Sequence, residues 1–328
     1  FRNFWDMKEL NPQWNIFMFA NCRIKNRTAL WIPFSLYAVK METRSKGGSV
    51  ADVLRKINLS AQNFTVHQEK TLRALSYCRT SALGGHIDAC DGCGNLSISY
   101  NSCRNRHCPQ CQGHKREEWI QKREQELLPC SYYHVVFTLP EELNGLAISQ
   151  PALLYKTLFE AAWATLNQFG KTEQMQLGMI AILHTWGQNL SLHPHLHCIV
   201  PGGGINKQGK WRAKIKSDKY LFCVKAMSKV FRAKFVALLR ASGIKDQDLM
   251  DKLFTKNWVV YAKRPFGGPK QVIEYLGRYT HKVAISNHRI KEVTDHEVRF
   301  GYKDYRKEGQ KKEMTLSNTE FVRRFSLH

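Results

Sequence analysis

The sequence lacks an apolar run long enough to cross a lipid bilayer. The longest one, Ala29 to Val39, is eleven residues long and contains Pro33 and Ser35, whereas a membrane-spanning helix needs about twenty apolar residues. The sequence also lacks the G-x-x-x-x-G-K-S/T pattern of a phosphate-binding loop, and residues 202–204, all glycine, read as a flexible turn. We therefore expect neither a membrane partner nor a nucleotide cofactor.

Acidic residues are scarce. The 328 residues include 50 Lys and Arg but only 27 Asp and Glu, which gives a formal net charge of +23. This excess favours a polyanionic partner bound more weakly as salt rises. Between residues 205 and 240, eleven basic residues accompany a single acidic one, with Trp211, Tyr220 and Phe222 interleaved. Such a mixture is typical of surfaces that hold single-stranded nucleic acid, although helix packing is the alternative from residue 222 onward.

The cysteines do not form a pattern typical of secreted proteins. Of ten, five fall between residues 90 and 111, and the others are scattered singly, such as Cys22, Cys78 and Cys223. No convincing signal peptide precedes them, so a disulfide framework fits poorly. We expect a reducing compartment.

The clustered cysteines predict a small zinc-binding module. Four of them read C-x2-C, fourteen residues, C-x2-C, which is close to the spacing of four-cysteine zinc ribbons. The predicted ligands are Cys90, Cys93, Cys108 and Cys111, with Cys103 or His107 as a substitute ligand or as part of a second site. Basic residues crowd this module, which predicts DNA binding by Arg104, Arg106, Lys115 and Arg116. A purely structural brace is the alternative.

A histidine-rich strand predicts a second metal site. Because side chains two apart in a strand share a face, His195 and His197 point the same way in the sequence HPHLH. An upstream strand ends near Trp186, and a hairpin centred near Leu190 would set His184 opposite His197. Three imidazoles would then converge on one ion. The alternative for each is an ordinary core histidine.

Two tyrosines follow on a predicted helix that begins near Pro269. Tyr275 and Tyr279 are four residues apart, which puts both phenols on one helix face, roughly 6 Å apart along its axis. A tyrosine can attack a phosphodiester and store the bond energy as a covalent phosphotyrosyl link. Amphipathic packing explains a lone tyrosine pair equally well. Beside a metal site, catalysis becomes the favoured interpretation.

The periodicity predicts an α+β fold with the ferredoxin-like order β-α-β-β-α-β, an antiparallel sheet covered by helices on one face. The predicted elements are strand 132–139, helix 151–169, strands 178–186 and 194–200, helix 222–239 and strand 257–262. Two further strands and a short helix are expected between residues 298 and 325. The predicted organisation is an extension of unknown role over 1–45, a helical segment over 46–80, the zinc module over 81–115 and a nuclease domain over 116–328.

The HPHLH run, the segment YLGRYTHKVAIS and the cysteine cluster resemble the two-tyrosine HUH rolling-circle transposases of bacterial insertion sequences that carry an N-terminal zinc-binding domain. The resemblance covers residues 50 to 328. It implies that His195 and His197 are ligands of a divalent ion, Mg or Mn, and that Tyr275 and Tyr279 are the nucleophiles. HUH relaxases add a histidine eleven residues before the pair, which matches His184.

The resemblance also implies an activity. The expected reaction is cleavage of single-stranded DNA at an element end, which leaves a 5′-phosphotyrosine and a free 3′-hydroxyl for transfer to a target strand. Arg278 and Lys282 flank the tyrosines and are expected to hold backbone phosphates. The expected location is the bacterial cytoplasm, at the nucleoid. Two alternatives stay open: a plasmid replication initiator or relaxase with the same chemistry, and a zinc-dependent DNA-binding protein without catalysis.

Overall fold

A computed structural model of the chain describes residues 48–89, 96–111, 120–121, 127–213, 221–262, 266, 271–272, 274–275, 277, 283–304 and 308–328. In chain order the elements are α1 (Val50–Arg55), α2 (Val66–Ser76), β1 (Gly85–Ala89), β2 (Leu96–Tyr100), β3 (Tyr132–Thr138), α3 (Asn144–Ser149), α4 (Pro151–Thr172), β4 (Ile180–Trp186), β5 (Leu192–Pro201), β6 (Gly203–Ile205), β7 (Trp211–Ala213), α5 (Val224–Ala241), α6 (Gln247–Thr255), β8 (Val260–Ala262), β9 (Ile290–Val293), β10 (Glu297–Asp304), β11 (Gln310–Ser317) and α7 (Asn318–Ser326). Short 3-10 turns connect several of them.

The central sheet has four antiparallel strands in the order β4-β5-β3-β8. In sequence, β3 and β4 are joined through α4, and β5 and β8 through α5, so the predicted β-α-β-β-α-β order is confirmed. One face of the sheet packs on both helices and forms the larger core, which includes Phe137, Leu196 and Phe231, all fully buried. The helix α4 begins at a proline in its first turn, where the missing N–H costs no helical hydrogen bond. The mixed α+β class is therefore established.

The opposite sheet face carries the polar residues. Strand pairing puts His134, Val136 and Thr138 of β3 in line with Ile199, His197 and His195 of β5. A small apolar cluster of Tyr132, Ile199 and Val272 covers one end of this face, with Tyr275 packed against it. The segment that contains Val272 and Tyr275 is helical at positions 271, 272, 274, 275 and 277. This helical segment therefore lies across the histidine face, where the tyrosine helix was expected.

A second core joins the beginning of the described chain to its end. Its buried members come from α1, α2, the cysteine-rich segment, the three-stranded sheet β11-β10-β9 and α7. Leu190, which sits at the β4–β5 turn with a φ of 61°, is fully buried and inserts into this core. The expected C-terminal strands and helix are present as β10, β11 and α7. The boundaries proposed at residues 80 and 115 stay a prediction.

One prediction about this region was wrong. Residues 202–204 were expected to form a flexible turn, but Gly203 and Gly204 are buried in β6, which pairs with β7. A Cβ on Gly204 would lie 2.4 Å from the carbonyl oxygen of Gln176, so the glycines serve close backbone packing.

Among the helices of the described ranges, none has the length and apolar character needed to cross a bilayer.

Candidate functional site

Three histidines of the sheet converge on one side. The ligand nitrogens of His184, His195 and His197 all lie within 4.8 Å of one another. His184 and His197 are buried, while His195 is partly exposed. The strand register pairs His184 with His195 and Ile182 with His197, whereas hairpin symmetry predicted His184 opposite His197. A shift of two residues preserves the face, so the predicted convergence survives the error in register.

Backbone geometry orients the exposed member of this group. The Nδ1 of His195 lies 2.6 Å from the carbonyl oxygen of His193. A carbonyl can only accept, so Nδ1 carries the hydrogen and Nε2 keeps its lone pair. A neutral imidazole with a fixed tautomer suits a metal ligand. His193 thus contributes through its main chain, and its side chain is exposed.

A fourth histidine, which the sequence analysis missed, adjoins this group. His134 is 2% exposed, and its Nε2 lies 2.9 Å from Nδ1 of His197. The two rings are nearly parallel and meet edge to edge, with centroids 5.1 Å apart and an interplanar angle of 6°. A signal was present in the sequence, because a single histidine interrupts the otherwise apolar strand around Val135 and Val136. Its face could not be assigned until β3 was known to pair with β5.

The phenol of Tyr275 reaches the same histidine. Its hydroxyl oxygen lies 3.0 Å from Nε2 and 3.2 Å from Nδ1 of His134. The two rings meet edge to face with centroids 4.7 Å apart, and Phe266 packs against the tyrosine on another side. Tyr275 is half-buried. Its oxygen is therefore held next to the histidine group, while Tyr279 lies outside the described residues.

Four cysteine thiols form a second candidate metal centre. The sulfur atoms of Cys78, Cys103, Cys108 and Cys111 all lie within 4.8 Å of one another. Neighbouring sulfurs are 3.5 Å apart for Cys78 with Cys108 and with Cys111, and 3.7 Å apart for Cys103 with Cys111. A tetrahedral zinc with Zn–S bonds of about 2.3 Å puts its sulfurs about 3.8 Å apart. The spacing fits zinc and is too long for a disulfide.

Main-chain amides surround these sulfurs. The N–H of Cys103 points at Cys78 from 3.5 Å, and the amides of Asn105, Gln110 and Arg104 donate to Cys103, Cys108 and Cys111. Arg104 adopts a left-handed conformation with a φ of 53°, which turns its amide inward. N–H donors aimed at sulfur stabilise thiolates that bind a metal. The donor set therefore suits a structural ion.

Burial opposes ionisation of these thiols when no cation is bound. Desolvation raises the pKa of Cys103 to about 12 and also raises the pKa of Cys108. For Cys111 desolvation acts in the same direction, but hydrogen bonds from the neighbouring thiols outweigh it and lower its pKa. Binding of a cation should release protons from the set.

This thiol set differs from the one expected from spacing. Cys108 and Cys111 were expected to bind with Cys90 and Cys93, but the structure sets them beside Cys78, dismissed as a scattered residue, and Cys103. Cys90 and Cys93, the other two predicted ligands, lie outside the described residues. Local spacing does not predict the part of Cys78, because Cys78 follows α2 and reaches the other three cysteines only through tertiary packing.

The remaining predicted residues divide into two groups. Arg104 and Arg106 are exposed beside the thiol set, and His107 is mostly buried there, with its pKa lowered to about 4 by burial. Other predictions lie outside the described residues, namely Cys90, Cys93, Lys115, Arg116, Arg278, Tyr279 and Lys282.

Two protein-family models match the chain, one over each of its two candidate metal centres. A family model described as "Putative transposase" matches residues 178–328, and one described as "Transposase zinc-binding domain" matches residues 50–139. The protein "Putative transposase y4qJ" of Sinorhizobium fredii is 43% identical over 86% of this chain and 77% of its own length. The "Transposase for insertion sequence element IS801" of Pseudomonas savastanoi pv. phaseolicola is 27% identical over 79% of this chain and 66% of its own length.

Among solved structures, the relaxase TrwC complexed with a 27-mer DNA comprising the recognition hairpin and the cleavage site covers 34% of this chain and 44% of that chain. Its identity is 19% and its TM-score 0.27. A second TrwC structure, in complex with oriT DNA, has a TM-score of 0.26 at 19% identity, covering 34% of this chain and 42% of that chain. Similarity at this level is too low to bear on function.

The chain belongs to the two-tyrosine HUH transposase family of insertion sequences that carries an N-terminal zinc-binding domain. It is accordingly a DNA-cleaving enzyme of rolling-circle transposition with HUH-type chemistry. The transposase relatives favour this role over a replication initiator or a non-catalytic binder.

Proposed function

We propose that this transposase cleaves and rejoins single-stranded DNA with Tyr275 and Tyr279 as nucleophiles and with Mg or Mn held by His184, His195 and His197. The observation that carries the proposal is the position of the Tyr275 hydroxyl, 3.0 Å from His134, which in turn bonds His197. A nucleophile and a metal-binding face are thereby joined through one side chain. Tyr279 lies outside the described residues, and its part in the proposal stays a prediction from its spacing of four.

In the proposed reaction the phenolic oxygen of Tyr275 attacks phosphorus. The new Oη–P bond replaces the bond from phosphorus to the 3′-oxygen, which takes a proton and leaves as a hydroxyl, while the phenol proton passes to solvent. The bound ion would polarise the scissile phosphate and stabilise its developing charge. The second tyrosine permits another cleavage while the first link persists. The three imidazoles fit the cation, and the sheet fixes their orientation.

For the thiol set we propose one structural zinc bound by Cys78, Cys103, Cys108 and Cys111. The supporting observations are the tetrahedral sulfur spacing and the amides aimed at the sulfurs. The exposed Arg104 and Arg106 next to this centre suit contact with DNA phosphates. Lys115, Arg116, Arg278 and Lys282 remain predicted phosphate contacts.

The test is a denaturing gel with a single strand that carries an element end and a label on its 3′ side. Wild-type protein with Mg or Mn should give a slow-migrating protein–DNA adduct, and chelator should abolish it. Tyr275→Phe with Tyr279→Phe should remove the adduct, whereas Tyr261→Phe should keep it, because Tyr261 lies exposed on the edge strand of the same sheet. Tight binding without an adduct on any strand would refute the catalytic assignment.

A further inference from the structure

His134 lies between a predicted metal ligand and a predicted nucleophile. Its Nε2 lies 2.9 Å from Nδ1 of His197, and the hydroxyl oxygen of Tyr275 lies 3.0 Å from Nε2 and 3.2 Å from Nδ1. The geometry points to His134 as a positioning residue, which fixes the tautomer of His197 and the position of the Tyr275 oxygen. This inference rests on the proposed function and names a residue that the function itself does not require.

The hydrogen placement follows from the metal site. If His197 offers Nε2 to the cation, its Nδ1 must carry the hydrogen and donate to Nε2 of His134. The single hydrogen of a neutral His134 then sits on Nδ1, which lies 3.2 Å from the Tyr275 oxygen. That N–H can donate to a lone pair of the phenol. One imidazole would thereby orient both groups.

Burial argues for this role over a general packing role. His134 is 2% exposed, and its contacts with His197 and Tyr275 leave the ring little freedom to rotate. A buried imidazole costs free energy unless both nitrogens find partners. An apolar residue would fill the same space at lower cost if packing were its only role. The strand otherwise carries apolar side chains at Val135, Val136 and Phe137.

Two conservative variants separate the roles of the two ring nitrogens of His134. Asn at position 134 keeps a polar group near the former Nδ1, and Gln keeps one near the former Nε2. Manganese affinity should fall about 10- to 100-fold in His134→Asn, because it loses the contact to His197, and much less in His134→Gln. Isothermal titration of the full chain with Mn measures this without any DNA.

The second readout isolates Tyr275. In a Tyr279→Phe background, where only Tyr275 can form the adduct, His134→Gln at saturating Mn should slow adduct formation about 10-fold or more. In a Tyr275→Phe background the same substitution should leave the adduct rate of Tyr279 within about twofold. A general folding defect would slow both backgrounds equally.

Tyr132→Phe is the matched control, because Tyr132 lies on the same strand and face, is 4% exposed and bonds the Leu128 amide instead of the site. It should change neither readout. Unchanged Mn affinity and Tyr275 rate in both His134 variants would overturn the inference. If wild type formed no adduct while His134→Asn still weakened Mn binding, the proposed chemistry would fail and only the link to His197 would stand.

A separate observation concerns the hairpin β6–β7, about 20 Å from the histidine group by strand length. Trp211 is 44% exposed on it, and Lys207, Lys210 and Arg212 of the same hairpin are exposed as well. Within the described ranges, no ion pair involves these three cations. We infer that the hairpin is a contact surface for single-stranded DNA.

The hairpin is built to hold the indole in place. A Cβ on Gly203 would lie 2.6 Å from Cζ2 of Trp211, so the indole rests against the bare backbone of this glycine. The loop end of β6 is fixed by paired main-chain hydrogen bonds of 2.8 Å and 2.9 Å between Gln176 and Ile205. At its tip, the side chain of Asn206 accepts the amides of Gln208 and Lys210. A rigid aromatic among cations suits stacking on unpaired bases.

The three aromatic residues of the basic segment 205–240 differ in their exposure to a nucleic acid. Phe222 is 5% exposed and packs on Phe169, so it belongs to the core. Tyr220 lies outside the described residues. Trp211 is the described aromatic of this basic segment that a base can reach.

Fluorescence anisotropy with a labelled oligothymidine and with a duplex of equal length tests the inference on the full chain. Trp211→Ala should weaken binding of the single strand about 5- to 100-fold and leave duplex binding within about twofold, since paired bases cannot stack on it. Lys245→Gln, an exposed lysine away from the hairpin, should change little, whereas Arg212→Gln should reduce the salt dependence. Equal single-strand affinity of Trp211→Ala and wild type, or equal losses on both DNAs, would overturn it.

Discussion

Replacement of Cys78 by serine distinguishes the thiol set of the structure from the one that spacing predicts. The Cys78 thiol is 3% exposed, and its sulfur lies 3.5 Å from those of Cys108 and Cys111. A serine oxygen is a weaker zinc ligand and lies on a shorter bond, so the ion would keep three thiolates. We expect Cys78→Ser to release zinc.

The magnitude follows from the position of the residue. Loss of an outer hydrogen-bond partner lowers metal affinity about 10- to 100-fold, so loss of a direct ligand should exceed about 100-fold. A factor of 100 corresponds to about 3 kcal/mol. Because Cys78, Cys108 and Cys111 are part of the second core, that loss should also lower the free energy of unfolding. The melting temperature should fall by about 5–10 °C.

Zinc content per protein after dialysis against a chelator, together with thermal unfolding with and without added zinc, measures both effects. Cys198→Ala is the control, because Cys198 is fully buried in the central sheet and outside the thiol set. It should lower the melting temperature but retain zinc. Cys90→Ser and Cys93→Ser should also retain one zinc. Retention of zinc by Cys78→Ser with its loss in Cys93→Ser would refute the assignment.

Three further changes test other parts of the structure. His184→Ala should weaken Mn binding at least about 10-fold in a titration, whereas His193→Ala should weaken it much less, because the hydrogen bond to His195 is accepted by the main-chain carbonyl oxygen of residue 193, which the substitution keeps; equal effects would contradict the triad. Leu196→Ala should cost about 2–5 kcal/mol in denaturant unfolding, since this fully buried side chain lies in the larger core. Hydrogen bonds from Arg323 and Arg324 lower the pKa of Glu320 to about 2. The stabilisation by this carboxylate is therefore present above pH 4.5 and is lost as the pH falls toward 2. The difference in melting temperature between wild type and Glu320→Gln should shrink over that range, and a growing difference would contradict the assignment.

The central sheet could be predicted from the sequence because its elements carry unambiguous periods. The strand that contains HPHLH alternates between the two faces, and α4 and α5 repeat apolar residues at helical spacing. Ferredoxin-like order then followed from the succession of elements. The hairpin β6–β7 was not predicted, because three glycines carry no side-chain period and indicate a turn. The helix α6 was not predicted either.

The candidate sites were predicted where their residues are close in sequence and missed where they are not. His195 and His197 share a strand, and a shift of register by an even number of residues keeps His184 with them. His134 and Cys78 join their groups from distant segments, and only pairing of β3 with β5 and packing of the second core bring them there. Local sequence patterns therefore show that His134 and Cys78 are present, but not which residues lie next to them in the fold.

The second core joins segments that are made at different times during synthesis of the chain. Val50 donates its amide to Asn287, which lies 237 residues further along the chain, and the thiol set shares apolar packing with Phe300 and Phe321. On the ribosome, α1 and α2 emerge before their partners in β9, β10 and α7. Contacts of such long range close slowly. Zinc capture by the four cysteines should therefore be completed only after synthesis of β9, β10 and α7, so a nascent chain that ends before them would not yet present a finished zinc-binding module.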